Sequence, residues 1–157
     1  MKPFTKRVLI LGVVMVVLAI SVAAANAGAQ VTRGEFQTYA SGPALGYDIS
    51  GHAQMERLPS GKTLVSVHVT GLRPGVTYPV HVHNRACNDN NGGGHYQDNV
   101  GGPVDAVNEI WPGFTSNGAG VGNGNATNAF VARPEARAIV VHDPNAGGAR
   151  IACADLE

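Results

Sequence analysis

The sequence has little charge of either sign. Charged side chains make up 14% of the 157 residues, and 11 basic residues are balanced by 11 acidic ones. An average globular protein is about 25% charged. A protein that holds a nucleic-acid backbone needs a field of lysine and arginine, which this balance does not supply. We therefore expect no nucleic-acid partner.

Long helical segments are also missing. After the first thirty residues, no convincing stretch has the apolar period of an amphipathic helix. The chain instead contains 9 prolines and 21 glycines, roughly twice the usual share of glycine. This composition excludes coiled-coil and long-helix proteins and favours short strands joined by turns.

The first 29 residues have the pattern of a secretory signal. Three basic residues precede an uncharged apolar run, residues 8–25, and small residues follow, among them Ala27 and Ala29. This order predicts cleavage after Ala27 or Ala29. The alternative is an uncleaved anchor, because the run approaches the length of a spanning helix. We expect a secreted, periplasmic or cell-envelope protein without stable membrane association after cleavage.

Residues 30–157 are expected to form one domain. About 130 residues are enough to bury a core, and they leave no room for a second domain. The only two cysteines are Cys87 and Cys153. An exported protein meets an oxidising compartment, so we expect one disulfide, the alternative being two buried free thiols.

Alternation of apolar and polar residues predicts β-strands. It is clearest in Thr63–Thr70, whose valines share one face. His52–Leu58 also has an extended pattern, and residues 59–62 have turn chemistry, so the two segments predict an antiparallel hairpin. Further strands are predicted from valine-rich or shorter patterns at Val76–His83, Ala138–His142, Glu35–Ser41 and Ala129–Ala132.

A long loop is expected between Asn84 and Asn128. Glycine and asparagine dominate there, and Pro103 and Pro112 interrupt any regular element. Loops of this length in a compact domain are usually functional or disordered, and a disulfide partner inside this one favours order. The fold class that fits is all-β, a sandwich or flattened barrel of short strands.

Candidate metal ligands are found among the six histidines. His81 and His83 are two residues apart on a predicted strand, so their rings share a face. Glycines before His95 allow the chain to fold back towards a neighbouring strand, and His142 ends an apolar strand. Four convergent imidazoles suit copper or zinc, and the usual order of affinity favours copper.

The other two histidines are expected to lie elsewhere. His52 and His68 belong to the polar faces of the predicted hairpin strands. Strand alternation predicts that they face solvent, away from the four candidate ligands. Asn125 begins a glycosylation sequon, whose use the sequence does not determine.

Taken in order, several motifs resemble the copper-zinc superoxide dismutase family. The segment from Val67 to Leu72, followed by Gly75, is similar to that family's lead-in to its first copper histidines. The resemblance extends from about Gly51 to the end of the chain. Its motifs are His81-Val82-His83, the glycine-flanked His95, Gly101-Gly102-Pro103, Ala138-Ile139-Val140-Val141-His142-Asp143 and Arg150-Ile151-Ala152-Cys153.

The resemblance implies a Greek-key β-barrel or sandwich with long loops. It implies that Cys87 and Cys153 form the family's disulfide and that Arg150 attracts superoxide to the open copper face and hydrogen-bonds it. It also implies that four histidines bind a redox-active copper: His81, His83, His95 and His142.

The family's zinc ligands are absent from this chain. No histidine lies between His95 and His142. Val100, Glu109 and Pro112 stand where the resemblance places two zinc histidines and an aspartate. We therefore expect copper and no zinc.

A second departure is the short segment between His142 and Cys153, which is ten residues long. The long loop that focuses the electrostatic field in zinc-containing members is therefore mostly deleted. We expect the copper to be more exposed than in those members.

Both departures resemble the copper-only branch of the family. There, a glutamate at the position of Glu109 accepts a hydrogen bond from the histidine that would otherwise bridge to zinc, here His95. A carboxylate in that place would fix the tautomer and orientation of the ring. Asp98 and Asp105 are alternative partners for His95.

The implied activity is superoxide dismutation to dioxygen and hydrogen peroxide by alternating reduction and oxidation of copper. The catalytic residues would be Arg150, His95 and Glu109, with superoxide as the substrate. One alternative is a non-enzymatic protein of the same fold that buffers or delivers copper. Another is a structural envelope domain with incidental histidines. The sequence leaves the oligomeric state open and slightly favours a monomer.

Overall fold

The structure, a computed structural model, describes residues 28–157. The predicted signal segment, residues 1–29, lies almost entirely outside the described residues, so its assignment stays a prediction. Within these described residues the strands are β1 Gln30–Glu35, β2 Gln37–Thr38, β3 Ser50–Arg57, β4 Thr63–Thr70, β5 Thr77–Tyr78, β6 Val80–His83, β7 Phe114–Thr115, β8 Gly122–Asn128, β9 Ala138–Asp143 and β10 Ala149–Asp155.

The predicted all-β class is confirmed. In the part of the chain that the structure describes, the one α-helix is a single turn, α1 Ser41–Ala44, and two 3-10 turns span Asn90–Gly92 and Pro144–Ala146. No helix in residues 28–157 is both long and apolar enough to cross a membrane.

Two four-stranded antiparallel sheets form the body of the domain. The first has the order β1-β3-β4-β8 and the second the order β2-β10-β9-β6, while β5 and β7 form a separate pair. Neighbours such as β4 and β8 are far apart in sequence, as in Greek-key folds. The inward valines and isoleucines of both sheets form one buried core: Val65, Val67 and Val69 of β4, Val80 and Val82 of β6, Ile139 and Val141 of β9.

The predicted hairpin is confirmed. Strands β3 and β4 pair antiparallel over eight residues, from Ser50 opposite Thr70 to Arg57 opposite Thr63. Gly61, in the turn between them, has φ +83°, a conformation that glycine adopts at no steric cost. The burial of β4 follows its alternating pattern, with Thr63, Val65, Val67 and Val69 buried, whereas its register with β3 comes from the structure.

Three strand predictions need correction. The segment Glu35–Ser41 is not one strand: β1 ends at Glu35, Phe36 turns into the core, and β2 joins the other sheet. Val76–His83 is interrupted at Pro79, which has no N–H for a ladder, so β5 and β6 pair with different strands.

Ala129–Ala132 is not a strand, and β8 lies where a loop was predicted. The sequence of β8 is polar and glycine-rich because neighbouring groups occupy the space where inward side chains would lie. A Cβ on Gly122 would stand 2.1 Å from the Phe114 ring, and one on Gly124 would stand 2.0 Å from the Pro112 carbonyl oxygen. Glycine is required there by the aromatic side chain and the backbone that cross the strand, which hides the strand pattern in the sequence.

Candidate metal centre

Three of the candidate ligands project from the outer face of the second sheet. On β6, Val80 and Val82 enter the core, so His81 and His83 point outward. On β9, which pairs with β6, alternation places His142 on that same outer face. The predicted shared face of His81 and His83 is therefore present.

The fourth ligand, His95, reaches this face from the loop. It forms an isolated antiparallel bridge with His83. The turn before it depends on glycine, because Gly92 has φ +86° and its Cβ would lie 3.2 Å from Val140, and Gly93 has φ +69°. A side chain at either position would displace the loop that carries His95.

The four imidazoles form one compact cluster. One nitrogen of each of His81, His83, His95 and His142 lies within 4.8 Å of the others. His83 and His142 are buried, whereas His81 and His95 are partly exposed. The cluster thus opens to solvent on one side.

Hydrogen bonds define which nitrogens face the centre. The Nδ1 atoms of His83 and His142 lie 3.3 Å and 2.9 Å from the carbonyl oxygens of Gly93 and Gly148. Carbonyl oxygens only accept, so each Nδ1 donates and each Nε2 keeps its lone pair. The two Nε2 atoms are 3.3 Å apart, an arrangement that a shared cation stabilises.

In His81 the nitrogen available to a metal is Nδ1, not Nε2 as in His83 and His142. Its Nδ1 is the one buried side-chain nitrogen or oxygen among the described residues that lacks a hydrogen-bond partner. A buried polar atom without a partner is costly unless something else binds it. Burial, with smaller effects of the neighbouring histidines, lowers the pKa of both His81 and His83 to about 3. Both are therefore neutral and able to coordinate a metal at neutral pH.

Glu109 holds the outer nitrogen of His95. Its side chain is 1% exposed, and its Oε2 accepts from His95 Nδ1 at 2.6 Å. The Trp111 indole donates to the same oxygen at 2.9 Å, and Gln97 donates to Oε1 at 3.0 Å. Burial alone would raise the pKa of Glu109, but these three bonds outweigh it and lower the pKa.

The alternative partners of His95 are engaged elsewhere. Asp98 forms an ion pair with Arg133 at 3.4 Å. Asp105 accepts hydrogen bonds from the backbone N–H groups of Val107 and Asn108. The sequence did not reveal Gln97 and Trp111 as supports of Glu109, since neither occurs in a recognisable motif.

Arg150 stands at the edge of the same face. It is the register partner of His142, and a bulge follows it on β10 between Arg150 and Ala152. Its Nη1 donates to the carbonyl oxygen of Asn91 at 2.6 Å. Its charge is one of the causes that lower the pKa of His83 and His142, so it acts on the cluster.

The disulfide holds the loop that carries His95. Cys87 and Cys153 are bonded, as predicted, which ties the loop to β10. The Cys87 backbone also donates to Asp155 at 2.7 Å, and Tyr39 donates to the Cys87 carbonyl at 3.0 Å. The disulfide therefore joins the loop that carries His95 to the strand that carries Arg150.

The outer face next to His95 carries balanced charge. A groove of about 880 Å³ runs alongside His95, and its wall contains three arginines and three acidic residues: Arg85, Arg133, Arg137, Asp89, Asp98 and Glu135. Two of the arginines are paired within it, with Asp89 and with Asp98 and Glu135. The groove itself therefore supplies no strong attraction for an anion.

The domain has the superoxide dismutase fold: it combines two antiparallel sheets, a loop tied down by one disulfide and a histidine cluster on one outer face. Comparison with solved structures agrees with this fold. Among the structures that match is superoxide dismutase 5 of Candida albicans, solved as a glutamate-to-glutamine mutant. It is 18% identical, with a TM-score of 0.55, and the match covers 82% of this chain and 91% of that chain. No family model and no curated protein matches the sequence.

Proposed function

We propose that this chain is an exported, copper-dependent superoxide dismutase that works without zinc. The observation that carries the proposal is the set of four imidazole nitrogens within 4.8 Å of one another, open to solvent beside Arg150. The disulfide between Cys87 and Cys153 fits an oxidising compartment.

The donor set fits copper. The inner nitrogens are Nδ1 of His81 and Nε2 of His83, His95 and His142, and imidazole is a good ligand for copper. Copper held there would pass one electron between two superoxide ions, so that one becomes dioxygen and the other, with two protons, becomes hydrogen peroxide. At the positions where the resemblance places zinc ligands, Val100 is 81% exposed and Glu109 is already bonded to His95.

Arg150 is proposed to bring the substrate in. Superoxide is an anion, and a partly exposed guanidinium next to the open side of the cluster attracts and orients it. Only residues 144–148 connect β9 to β10, so no long charged loop assists. Arg150 would therefore supply most of the local attraction.

His95 is proposed to deliver a proton. Its Nε2 faces the centre while Glu109 holds the hydrogen on Nδ1. A ring fixed in this tautomer accepts and releases a proton at Nε2 without rotating. Glu109 acts as a positioning residue because it touches only the outer nitrogen.

The test is superoxide dismutation by the mature protein loaded with copper alone, with metal content measured on the same sample. We expect activity at one copper and no zinc, lowered about tenfold or more in Arg150→Ala at low ionic strength, since steering raises association rates 10- to 1000-fold. Arg137→Ala, an exposed arginine in the groove, is the matched control. Tight copper binding with no more activity than free copper would instead support a copper-buffering or delivery protein.

A further inference from the structure

A row of polar side chains crosses the first sheet far from the histidine cluster. In the strand register, Glu35 on β1 lies opposite His52 on β3, His52 opposite His68 on β4, and His68 opposite Asn123 on β8. Directly opposed residues in antiparallel strands project from the same face. The row therefore brings a carboxylate, two imidazoles and an amide together.

This row faces solvent. The neighbours of the two histidines along their strands, Ala53, Val67 and Val69, belong to the buried core. His52 and His68 therefore point outward, as predicted from the alternation. The four-histidine cluster lies on the outer face of the other sheet, so the core of the sandwich separates the two groups.

The His52 and His68 rings are arranged like a pair inside the cluster. Their centroids are 5.2 Å apart and their planes meet at 29°. For His83 and His142 the same values are 5.5 Å and 27°. A copper or zinc ion lies about 2 Å from each ligating nitrogen, so two rings that share it have centres at most about 6 Å apart. The outer pair meets this condition.

Asn123 fixes the tautomer of the His68 ring. The Nδ1 atom of His68 lies 2.8 Å from Asn123 Oδ1. An amide oxygen only accepts, so Nδ1 carries the hydrogen and the lone pair is on Nε2. Metal-ligating histidines have this arrangement, with the outer N–H held by an oxygen, and it occurs at His83, His95 and His142 in the cluster.

We propose that His52 and His68 form a second metal site, open to solvent, for a divalent transition metal ion. Two imidazoles and water complete its coordination, and the exposed Glu35 at the end of the row adds a negative charge nearby. The nitrogen donors favour Cu²⁺ over Zn²⁺. With only two protein ligands, the site binds more weakly than the four-histidine cluster.

The experiment is a titration of the mature, folded protein with Cu²⁺, following bound metal by equilibrium dialysis and electron paramagnetic resonance. We expect two equivalents, the second weaker and with a separate spectrum. His52→Ala and His68→Ala should each remove the second equivalent and leave the first, with dismutase activity unchanged. Gln54→Ala and Ser66→Ala, the next opposed pair on the same face of these strands, should retain both equivalents.

The role of Asn123 gives an independent measurement. Asn123→Ala should weaken the second equivalent about tenfold, at the lower end of the usual effect of losing an outer partner. Asn125→Ala, two residues along β8 and opposite Ser66, is the matched control. If the parent lacks the weaker equivalent, or if both histidine variants keep it, the site does not exist. Failure of the cluster to bind copper would be seen separately, as loss of the tighter equivalent.

Discussion

Replacement of Glu109 by glutamine tests whether a carboxylate is needed behind His95. In the parent, the two carboxylate oxygens accept three hydrogen bonds, from His95, Trp111 and Gln97, in a site that is 1% exposed. Glutamine has the same shape but one oxygen and one NH₂ group. If the glutamine oxygen accepts from His95 and Trp111, as the carboxylate does, the glutamine NH₂ group faces the NH₂ group of Gln97, so that two donors meet.

Gln97 relieves this conflict by rotating its own amide only at a cost. Its Oε1 accepts from the backbone N–H of Gly101 at 2.9 Å, and a rotated amide would leave that N–H facing a donor. Each arrangement therefore has a cost: either a donor stays unsatisfied beside the buried side chain at position 109, or the exposed Gly101 N–H loses its bond to Gln97 and turns to water. The cheaper of the two costs about 0.5–1.5 kcal/mol. We expect Glu109→Gln to lower the free energy of unfolding of the metal-free protein by that amount, measured by chemical denaturation.

The same variant should bind copper more weakly. Loss of the charged acceptor behind a ligating histidine typically lowers metal affinity 10- to 100-fold. Competition with a chelator of known affinity measures this directly. Asp98→Asn is the control, because Asp98 belongs to a partly exposed ion pair with Arg133, and such pairs contribute about 0–1 kcal/mol. Copper affinity that is unchanged in Glu109→Gln but reduced in Asp98→Asn would refute the assignment of Glu109.

Three further predictions follow from the fold. The Cys87→Ala/Cys153→Ala variant should lose about 4 kcal/mol of unfolding free energy in denaturant titrations, since the bond joins residues 66 apart; a loss under 1 kcal/mol would contradict it. Gly124→Ala should cost about 1–3 kcal/mol because its Cβ would meet the Pro112 carbonyl oxygen at 2.0 Å, whereas Gly118→Ala, with open space around it, should melt like the parent. Removing copper with a chelator should lower Tm, and the difference should grow with the free copper concentration; an equal Tm with and without copper would exclude binding to the folded state.

The sequence was most informative where side chains obey a simple period. Strand β4 alternates strictly, so the burial of its residues could be predicted one by one, and the turn chemistry before it predicted a hairpin with β3, although not the register of that pairing. His81 and His83 were placed on one face by the same argument. His95, the histidine in the loop, was harder to place, because its position depends on the positive φ angles of Gly92 and Gly93 and not on any repeating pattern.

Features set by long-range contacts could not be predicted. Strand β8 has almost no strand-forming side chains, since Phe114 and Pro112 occupy the space above its glycines. After Phe36 the chain leaves the first sheet, and β2 pairs with the edge of the second sheet. This change depends on where a free sheet edge lies, which no local pattern indicates. Likewise, Gln97 and Trp111 became recognisable as supports of Glu109 only once the chain had brought the three side chains together.

The loop from Asn84 to His95 links the stability of this domain to the geometry of its histidine cluster. It carries the disulfide at Cys87, the Asn91 carbonyl that accepts from Arg150, and His95 itself. The Gly93 carbonyl within it holds Nδ1 of His83. Reducing the disulfide therefore does more than lengthen a surface loop: it frees the segment that positions two of the four imidazoles and the guanidinium beside them. Because all three depend on one anchor, copper affinity and the unfolding free energy should fall together when that anchor is cut.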